Sequence, residues 1–292
     1  MTTIRVGDAT IDRIEEVSGP LFPVEMMLPS FSADAVDNHG ADVFAQHMDH
    51  STQTVLGSIH TWVVRTPQST ILVDTCVGND KERTLPDMNG LALPWLERLA
   101  DAGVQPEDVD YVLCTHLHVD HVGWNTRLVD GAWVPTFPNA RYLINQREFD
   151  FWKPGNPASA DIDINKYVFE DSVQPIFDRE QIELWDGDYQ VDDTFHLAMA
   201  TGHTPGHNVG WLESKGERAL FAGDSMHTAM QVFEPTWSSA FCVDPEESAA
   251  TRLRLIEACA EQNALLCPAH FAAPHAYRVV PRGKGLAAVG AS

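Results

Sequence analysis

A chain of 292 residues with 44% hydrophobic residues can bury a large core, which excludes a disordered or fibrous protein. Its charge is one-sided: 19 Lys and Arg stand against 42 Asp and Glu, a formal net of −23. Such a surface repels phosphate backbones and anionic headgroups, so nucleic acid and membrane are not expected partners. The five cysteines (Cys76, Cys114, Cys242, Cys259, Cys267) are scattered and form no CxxC pair. They read as reduced, buried thiols. The opening "MTTIRVGDATIDRIEEV" lacks an apolar stretch of signal-peptide length, and no run reaches the roughly 18 apolar residues of a membrane span. A soluble cytoplasmic protein is the expectation.

In chain order, "TIRVGDATIDRIEEV" alternates and predicts a hairpin turning at Gly7-Asp8. Residues 18–53, with Pro20, Pro23 and Pro29, show no clear period and read as an irregular loop or lid. Met26, Met27, Phe31, His47 and His50 are its candidates for facing a site. Ile59–Arg65 and Thr70–Thr75 predict a second hairpin. "LPWLERLADAG" has helical spacing and stops at Gly103. "VDYVLCT" is a short buried strand, "ARYLINQ" another, and "REFDFW" a short helix. The second half brings short strands over 182–202, then a strand pair turning at Lys215-Gly216. "DPEESAATRLRLIEACAEQ" is the clearest helix, with Asp244 as N-cap, Pro245 at the first helical position, and Glu246 and Glu247 in the first turn. "ALLCPAH" is a strand leading to His270. No Gly/Ser or Pro linker separates the halves, so residues 1–292 read as one domain of two packed sheets with outer helices.

The stretch "CTHLHVDHVGWN" packs three histidines and an aspartate between His116 and His121. His116 and His118 alternate, so at a strand end they point the same way, and Asp120 and His121 follow at once. Imidazole nitrogen and carboxylate oxygen suit borderline divalent metals such as Zn²⁺. Four ligands on one loop cannot complete two metal shells, so more must arrive from other strand ends. "ATGHTPGHNVG" offers His203 and His207, "LFAGDS" offers Asp224 and "LLCPAH" offers His270. Each stands at the mouth of an apolar run, where sheet proteins place ligands. A buried Asp after "ALFAG" needs a partner, and cations supply one.

"HLHVDH", "GHTPGH", "FAGD" and "CPAH", in this order and spacing, resemble the metallo-β-lactamase superfamily from about Ile59 to His270. "ILVDTC" is similar to the family's "LVDTG" strand, with Cys76 in place of the usual Gly. The resemblance implies an α/β fold, an αββα sandwich of two mixed β-sheets flanked by helices. It gives His116, His118 and His203 to one metal, Asp120, His121 and His270 to a second, and makes Asp224 the bridge. It implies two Zn²⁺, with Mn, Fe or Co as other divalent candidates. His207 then supports a ligand, and His275 is the rival to His270.

Three protein ligands and a shared carboxylate per metal leave room for a bridging water. Two cations roughly 3.5–4 Å apart lower its pKa toward neutrality, so a bridging hydroxide is available. Asp120 ligates and orients it, or passes a proton to the leaving group. A carboxylate at Asp224 resembles lactonases and organophosphate hydrolases more than true β-lactamases. "FPNARYLINQREFDFW" and "PAHFAAPHAYRV" resemble quorum-quenching-type lactonases and methyl-parathion-hydrolase-like enzymes. Ring opening of a lactone or small ester is therefore the leading expectation. Aryl-ester or phosphotriester hydrolysis on the same metals is the alternative. A hydroxyacylglutathione-type thioesterase, with Arg278, Arg282 and Lys284 as its basic patch, and a mononuclear iron sulfur or oxygen enzyme come further down. Many lactonases carry a tyrosine three residues after the bridging Asp. Here His227 stands there, as a hydrogen-bond donor or proton shuttle in catalysis, or as a packed histidine. Trp124, Phe149, Phe151 and Trp152 are either cleft walls or core. The partner is a small-molecule ester, and a homodimer is a further implication of the resemblance.

Overall fold

The computed structural model describes residues 3–39, 44, 46–283 and 285–291. The first sheet contains β1 (Ile4–Val6), β2 (Ala9–Pro23), β3 (Met48–Asp49), β4 (Thr54–Arg65), β5 (Thr70–Val73), β6 (Tyr111–Leu113), β9 (Arg141–Asn145) and β10 (Ile182–Trp185). Its order is β1-β2-β4-β5-β6-β9-β10, with β3 against the start of β4. Pairing is antiparallel from β1 to β5 and parallel from β5 to β10. Between β6 and β9 lies a small ribbon, β7 (Thr126–Val129) and β8 (Ala132–Pro135). The second sheet runs in sequence order through β11 (Tyr189–Gln190), β12 (Phe195–Met199), β13 (Asn208–Ser214), β14 (Glu217–Gly223), β15 (Leu265–Pro268), β16 (Tyr277–Arg282) and β17 (Gly285–Gly290).

Side-chain alternation explains why the sheets stack. Ile71, Val73, Leu113 and Leu143 point from the first sheet into a shared core with Phe195, Leu212, Phe221 and Leu265 of the second. Leu72, Val112, Cys114, Tyr142 and Ile144 point the other way, onto Trp95, Leu99, Phe149 and Ile176. Strands buried on both faces therefore read as continuous apolar runs. Leu220 and Ala222 face Leu255, Ile256 and Cys259 of the helix Pro245–Gln262. The result is helices outside, two sheets inside.

The helix ends follow their local chemistry. Asp244 accepts hydrogen bonds from the Glu246 and Glu247 amides, and Asn263 closes the helix in the left-handed conformation. Asn145 accepts from the Arg147 amide at the start of the helix Gln146–Trp152. Gly103, at φ +79, follows the helix Trp95–Asp101. Among the described residues no helix is long and apolar enough to cross a membrane.

One segment departs from expectation. Residues 18–53 are not a single irregular loop. β2 continues through Pro23, paired with β4 as far as Pro23 opposite Thr54. Helices follow at Val24–Met27 and Ala33–His39. Two register shifts, at Glu15/Val17 and Pro20/Phe22, break the two-residue period that marks a strand in sequence. β1 covers β2 only at Ala9–Ile11, so this part of β2 has a free edge, where prolines are tolerated.

Candidate metal centre

Four connections at one edge of the sandwich deliver the site. The loop after β6 brings His116, His118, Asp120 and His121, and the turn between β12 and β13 brings His203. The end of β14 brings Asp224, and the end of β15 brings His270. The loop after β5 crosses the loop of Asp120 and His121 at Gly78 and Gly123. A Cβ on Gly123 would sit 1.7 Å from the Val77 carbonyl oxygen, so only glycine permits the crossing.

The seven side chains gather into two groups: His116, His118, His203 and Asp224, and beside them Asp120, His121 and His270. In the first, His203 Nε2 lies 3.2 Å from His116 Nε2 and 2.9 Å from His118 Nδ1. In the second, His121 Nε2 and His270 Nε2 are 3.2 Å apart, and Asp120 reaches both at 3.5 Å. Asp224 faces both groups. Its Oδ2 is 3.4 Å from His203 and 3.8 Å from His116, and its Oδ1 is 3.0 Å from His270 and 3.4 Å from His121.

The outward nitrogens show why this cluster fits cations. His121 Nδ1 meets Asp74 Oδ2 at 2.9 Å, and His270 Nδ1 meets the Ser58 carbonyl at 3.1 Å. Both partners only accept, so in each ring Nδ1 carries a proton and Nε2 is the nitrogen left to face inward. Thr115 Oγ1 donates to Asp74 and accepts from His116 Nδ1, with the same result. Cys242 Sγ stands 3.5 Å from His203 Nδ1. Lone pairs facing each other at about 3 Å repel unless a cation sits between them. Asp224 Oδ1 is likewise buried without a hydrogen-bond donor. Imidazole and carboxylate together suit zinc and its divalent neighbours.

Electrostatics divide the two groups. Burial, reinforced by neighbouring imidazoles, holds His116 and His203 well below the ordinary histidine pKa and His118 down at about 4. These rings are neutral and ready to ligate. Burial also opposes charging of His121 and His270, but the Asp224 carboxylate outweighs it and raises both. Burial resists ionisation of Asp224 too, yet His270, His121 and His227 hold it well below the carboxylate range.

His207 stands behind the cluster: its Nδ1 donates to the Ala200 carbonyl and its Nε2 accepts from the Asp224 amide, which fixes the bridging residue's backbone. His275 is turned away onto the Phe271 carbonyl and Ser58. His227 is 2% exposed and, among the described residues, neither ring nitrogen has a hydrogen-bond partner. Its Nε2 lies 3.2 Å from Asp224 Oδ2, and its ring stacks on His270 at 6.0 Å. Gln231 accepts from its amide at 2.6 Å and so sets its place.

Over the groups opens a narrow cleft with a cavity volume of ≈ 30 Å³. His118, Asp120, Asp224, His227 and His270 form its floor; Leu21, Phe22, Met27, Met88, Val119, Ile164 and Phe241 form its walls and roof. Of the early-segment candidates only Met27 lines it. Trp124 is core: it stacks on Trp95 at 5.3 Å and donates to Glu16 Oε1 at 2.7 Å. Phe149 packs on Phe169 and Phe177, and Phe151 on Trp152. Trp152 reaches the His118 ring edge from the side and donates to Glu148. Arg278 is spent on the Asn263 carbonyl and Arg282 on the His39 carbonyl. Lys284 lies outside the described residues.

Three carboxylates were missed in the sequence. Asp74 orients His121 and takes the Thr115 amide and hydroxyl. Glu148, fully buried, takes donors from Leu117, Trp152, Thr204 and Gly206, tying the His118 loop to the His203 turn. Glu16 takes the Val77 and Gly78 amides and the Trp124 indole. Asp74 ends the apolar run "ILVD" just as Asp224 ends "LFAGD", so its signal was present. Cys76 has φ +54, which is why glycine suits that position.

The metallo-beta-lactamase superfamily profile matches residues 54–270. An N-acyl homoserine lactonase of Bacillus thuringiensis is 25% identical over 222 residues, covering 72% of this chain and 79% of the relative. Among solved structures, a hydrolase of the beta lactamase superfamily, AbOPH, superposes with a TM-score of 0.81 at 24% identity, covering 99% of this chain and 97% of that one. AidC, described as a dizinc quorum-quenching lactonase, superposes at 0.75 with 20% identity, covering 100% and 97%.

Proposed function

Because the chain belongs to the metallo-beta-lactamase superfamily, we propose that it is a two-zinc hydrolase of small esters, with lactones first among them. The observation that carries this reading is the convergence of inward lone pairs on two adjacent points with one carboxylate facing both. A site closed for structure alone has no need of a cleft above it, and here a mostly apolar cleft opens directly on the groups. The lactonase relatives support the ester class.

His116, His118 and His203 would hold one ion and Asp120, His121 and His270 the other, with Asp224 shared. Bound divalent metal supplies Lewis acidity and an ionised water at neutral pH. Asp120, whose side chain is the most exposed of the site carboxylates, borders the cleft, which supports a role for it in moving a proton. It takes the proton from the attacking water and returns it to the departing alkoxide oxygen. Water adds to the carbonyl carbon, the ester C–O bond breaks, and a hydroxy acid leaves. His227, whose ring nitrogens have no hydrogen-bond partner among the described residues, donates a hydrogen bond to the ester carbonyl oxygen. Residues 1–292 act as one domain in this reading.

Elemental analysis of the purified protein should give close to two zinc or equivalent divalent ions per chain, and one iron alone would refute the dinuclear reading. D120A should abolish turnover in a pH-stat assay of lactones and aryl esters while the circular dichroism spectrum stays unchanged. Wild-type activity in that variant would remove Asp120 from the mechanism.

A further inference from the structure

The cleft divides sharply by chemistry. Among the described residues, every nitrogen or oxygen side chain that lines it belongs to the floor: His118, Asp120, Asp224, His227 and His270. The rest of the lining is apolar and comes from distant parts of the chain. Leu21, Phe22 and Met27 come from the end of β2 and the helix after it, Met88 from the loop after β5, and Phe241 from the loop before the helix Pro245–Gln262. Most polar groups near the roof are turned elsewhere. Ser239 is held against Met27 Sδ and the Phe241 amide. Asn165, next to Ile164, donates to the Leu117 carbonyl and lines a separate cavity with Lys153 and Lys166, while its Oδ1 is buried without a partner among the described residues. The buried cations Lys81 and Arg83 are committed to Asp171.

We propose that this centre selects esters whose only polar group is the ester itself: uncharged alkyl- or aryl-substituted lactones and esters, in preference to esters that carry an adjoining amide or an anionic group. The proposal rests on the ester-hydrolase reading above and goes beyond it. One polar group of the substrate meets the floor, and everything beyond it is desolvated against Leu, Phe, Met, Ile and Val. An amide carried into that roof loses its water and gains no partner, which lowers kcat/KM by roughly ten- to a hundredfold. A carboxylate loses more, since among the described residues no ammonium or guanidinium lines the cleft. The chain should therefore discriminate against the acyl-amide lactones named for its relatives.

The test compares three substrates on the zinc-loaded protein: γ-decalactone, N-butanoyl homoserine lactone of similar size, and S-lactoylglutathione as an anionic thioester. The expected result is a kcat/KM for γ-decalactone at least about tenfold above that for the homoserine lactone, with the glutathione thioester slowest. Equal or faster opening of the homoserine lactone overturns the proposal and leaves the hydrolase reading standing. If none of the three is hydrolysed, the hydrolase reading fails. Saturation-transfer NMR with the same compounds then decides the selectivity separately: stronger binding of γ-decalactone supports it and stronger binding of either polar compound overturns it. F241N adds a roof acceptor and donor and should narrow the γ-decalactone to homoserine-lactone ratio at least threefold. An unchanged ratio removes the roof from substrate contact and overturns the proposal.

Discussion

The floor and the roof of the cleft are built on opposite principles. In the floor and the ligands beneath it, several groups are fixed from behind: Asp74 holds His121, the Ser58 carbonyl holds His270, Thr115 holds His116, and His207 holds the Asp224 backbone. Direction is the product of those contacts, because a ligand must aim a particular nitrogen at a particular point. In the roof no atom has to aim. Leu21, Phe22, Met27 and Phe241 act through area and shape, and the segment around them packs as a separate cluster with Leu28, Phe44, Met230 and Trp237. The floor thus determines which bond is attacked, and the roof determines what may be attached to it.

His227 stands at the seam, and it gives the sharpest way to break the comparison. H227F keeps the ring volume and removes both nitrogens. If His227 works with the floor, kcat falls by about 100-fold with metal content unchanged, as when one donor to a developing oxyanion is lost. If it belongs to the roof, kcat holds and KM alone moves. Next in size is D74N. Its side chain offers one acceptor where Asp74 offers two and brings no charge, so His121 loses its anchor. Affinity for one of the two metal ions should fall roughly 10- to 100-fold in a chelator competition, while the other ion is retained. Loss of both ions together would mean that the two groups do not act separately.

The same contrast explains what could be read in the sequence. The floor was legible because ligand-type residues standing at the ends of apolar strands are rare and costly unless used, as with His116, His203, Asp224 and His270. The preference for His203 over His207 came from the family resemblance, and that for His270 over His275 from the apolar strand that ends at His270. The roof was legible only at Met27, named from its position in the early segment; Met88 and Phe241 have the same composition as core, and only tertiary packing turns them toward the cleft. Glu148 was hidden for another reason. It lies in "REFDFW" among ordinary helical residues, and its four donors come from three separate segments. The end of β2 escaped because two bulges erased its period.

Glu16 sharpens the distinction from beneath the floor. Burial raises its pKa from 4.5 to about 7, against the pull of the Val77 amide and the Trp124 indole. An acid whose folded pKa exceeds its unfolded value binds its proton more tightly when folded. Its contribution to stability is therefore greatest below pH 4.5 and is lost as pH rises through 7. A shift of that size corresponds to about 3 kcal/mol. Urea unfolding in excess chelator at pH 5 and pH 8 should show the wild type losing about 2.5 kcal/mol of it relative to E16Q. Parallel pH profiles would show that Glu16 does not titrate between those limits.

The smallest effect expected is at Trp124, the end of the "CTHLHVDHVGWN" stretch. It lies close to the ligands in sequence but on the opposite side of the loop. The indole stacks on Trp95 and reaches Glu16 Oε1, and it does not line the cleft. W124F keeps the ring stack and deletes one hydrogen bond to a carboxylate that retains two amide donors. The cost should be about 1–2 kcal/mol in unfolding free energy, with kcat/KM ratios among lactones unchanged. A change in those ratios with stability intact would place Trp124 on the substrate side after all. The loop would then face substrate on both sides, and the separation of an aiming floor from a shaping roof would fail at its centre.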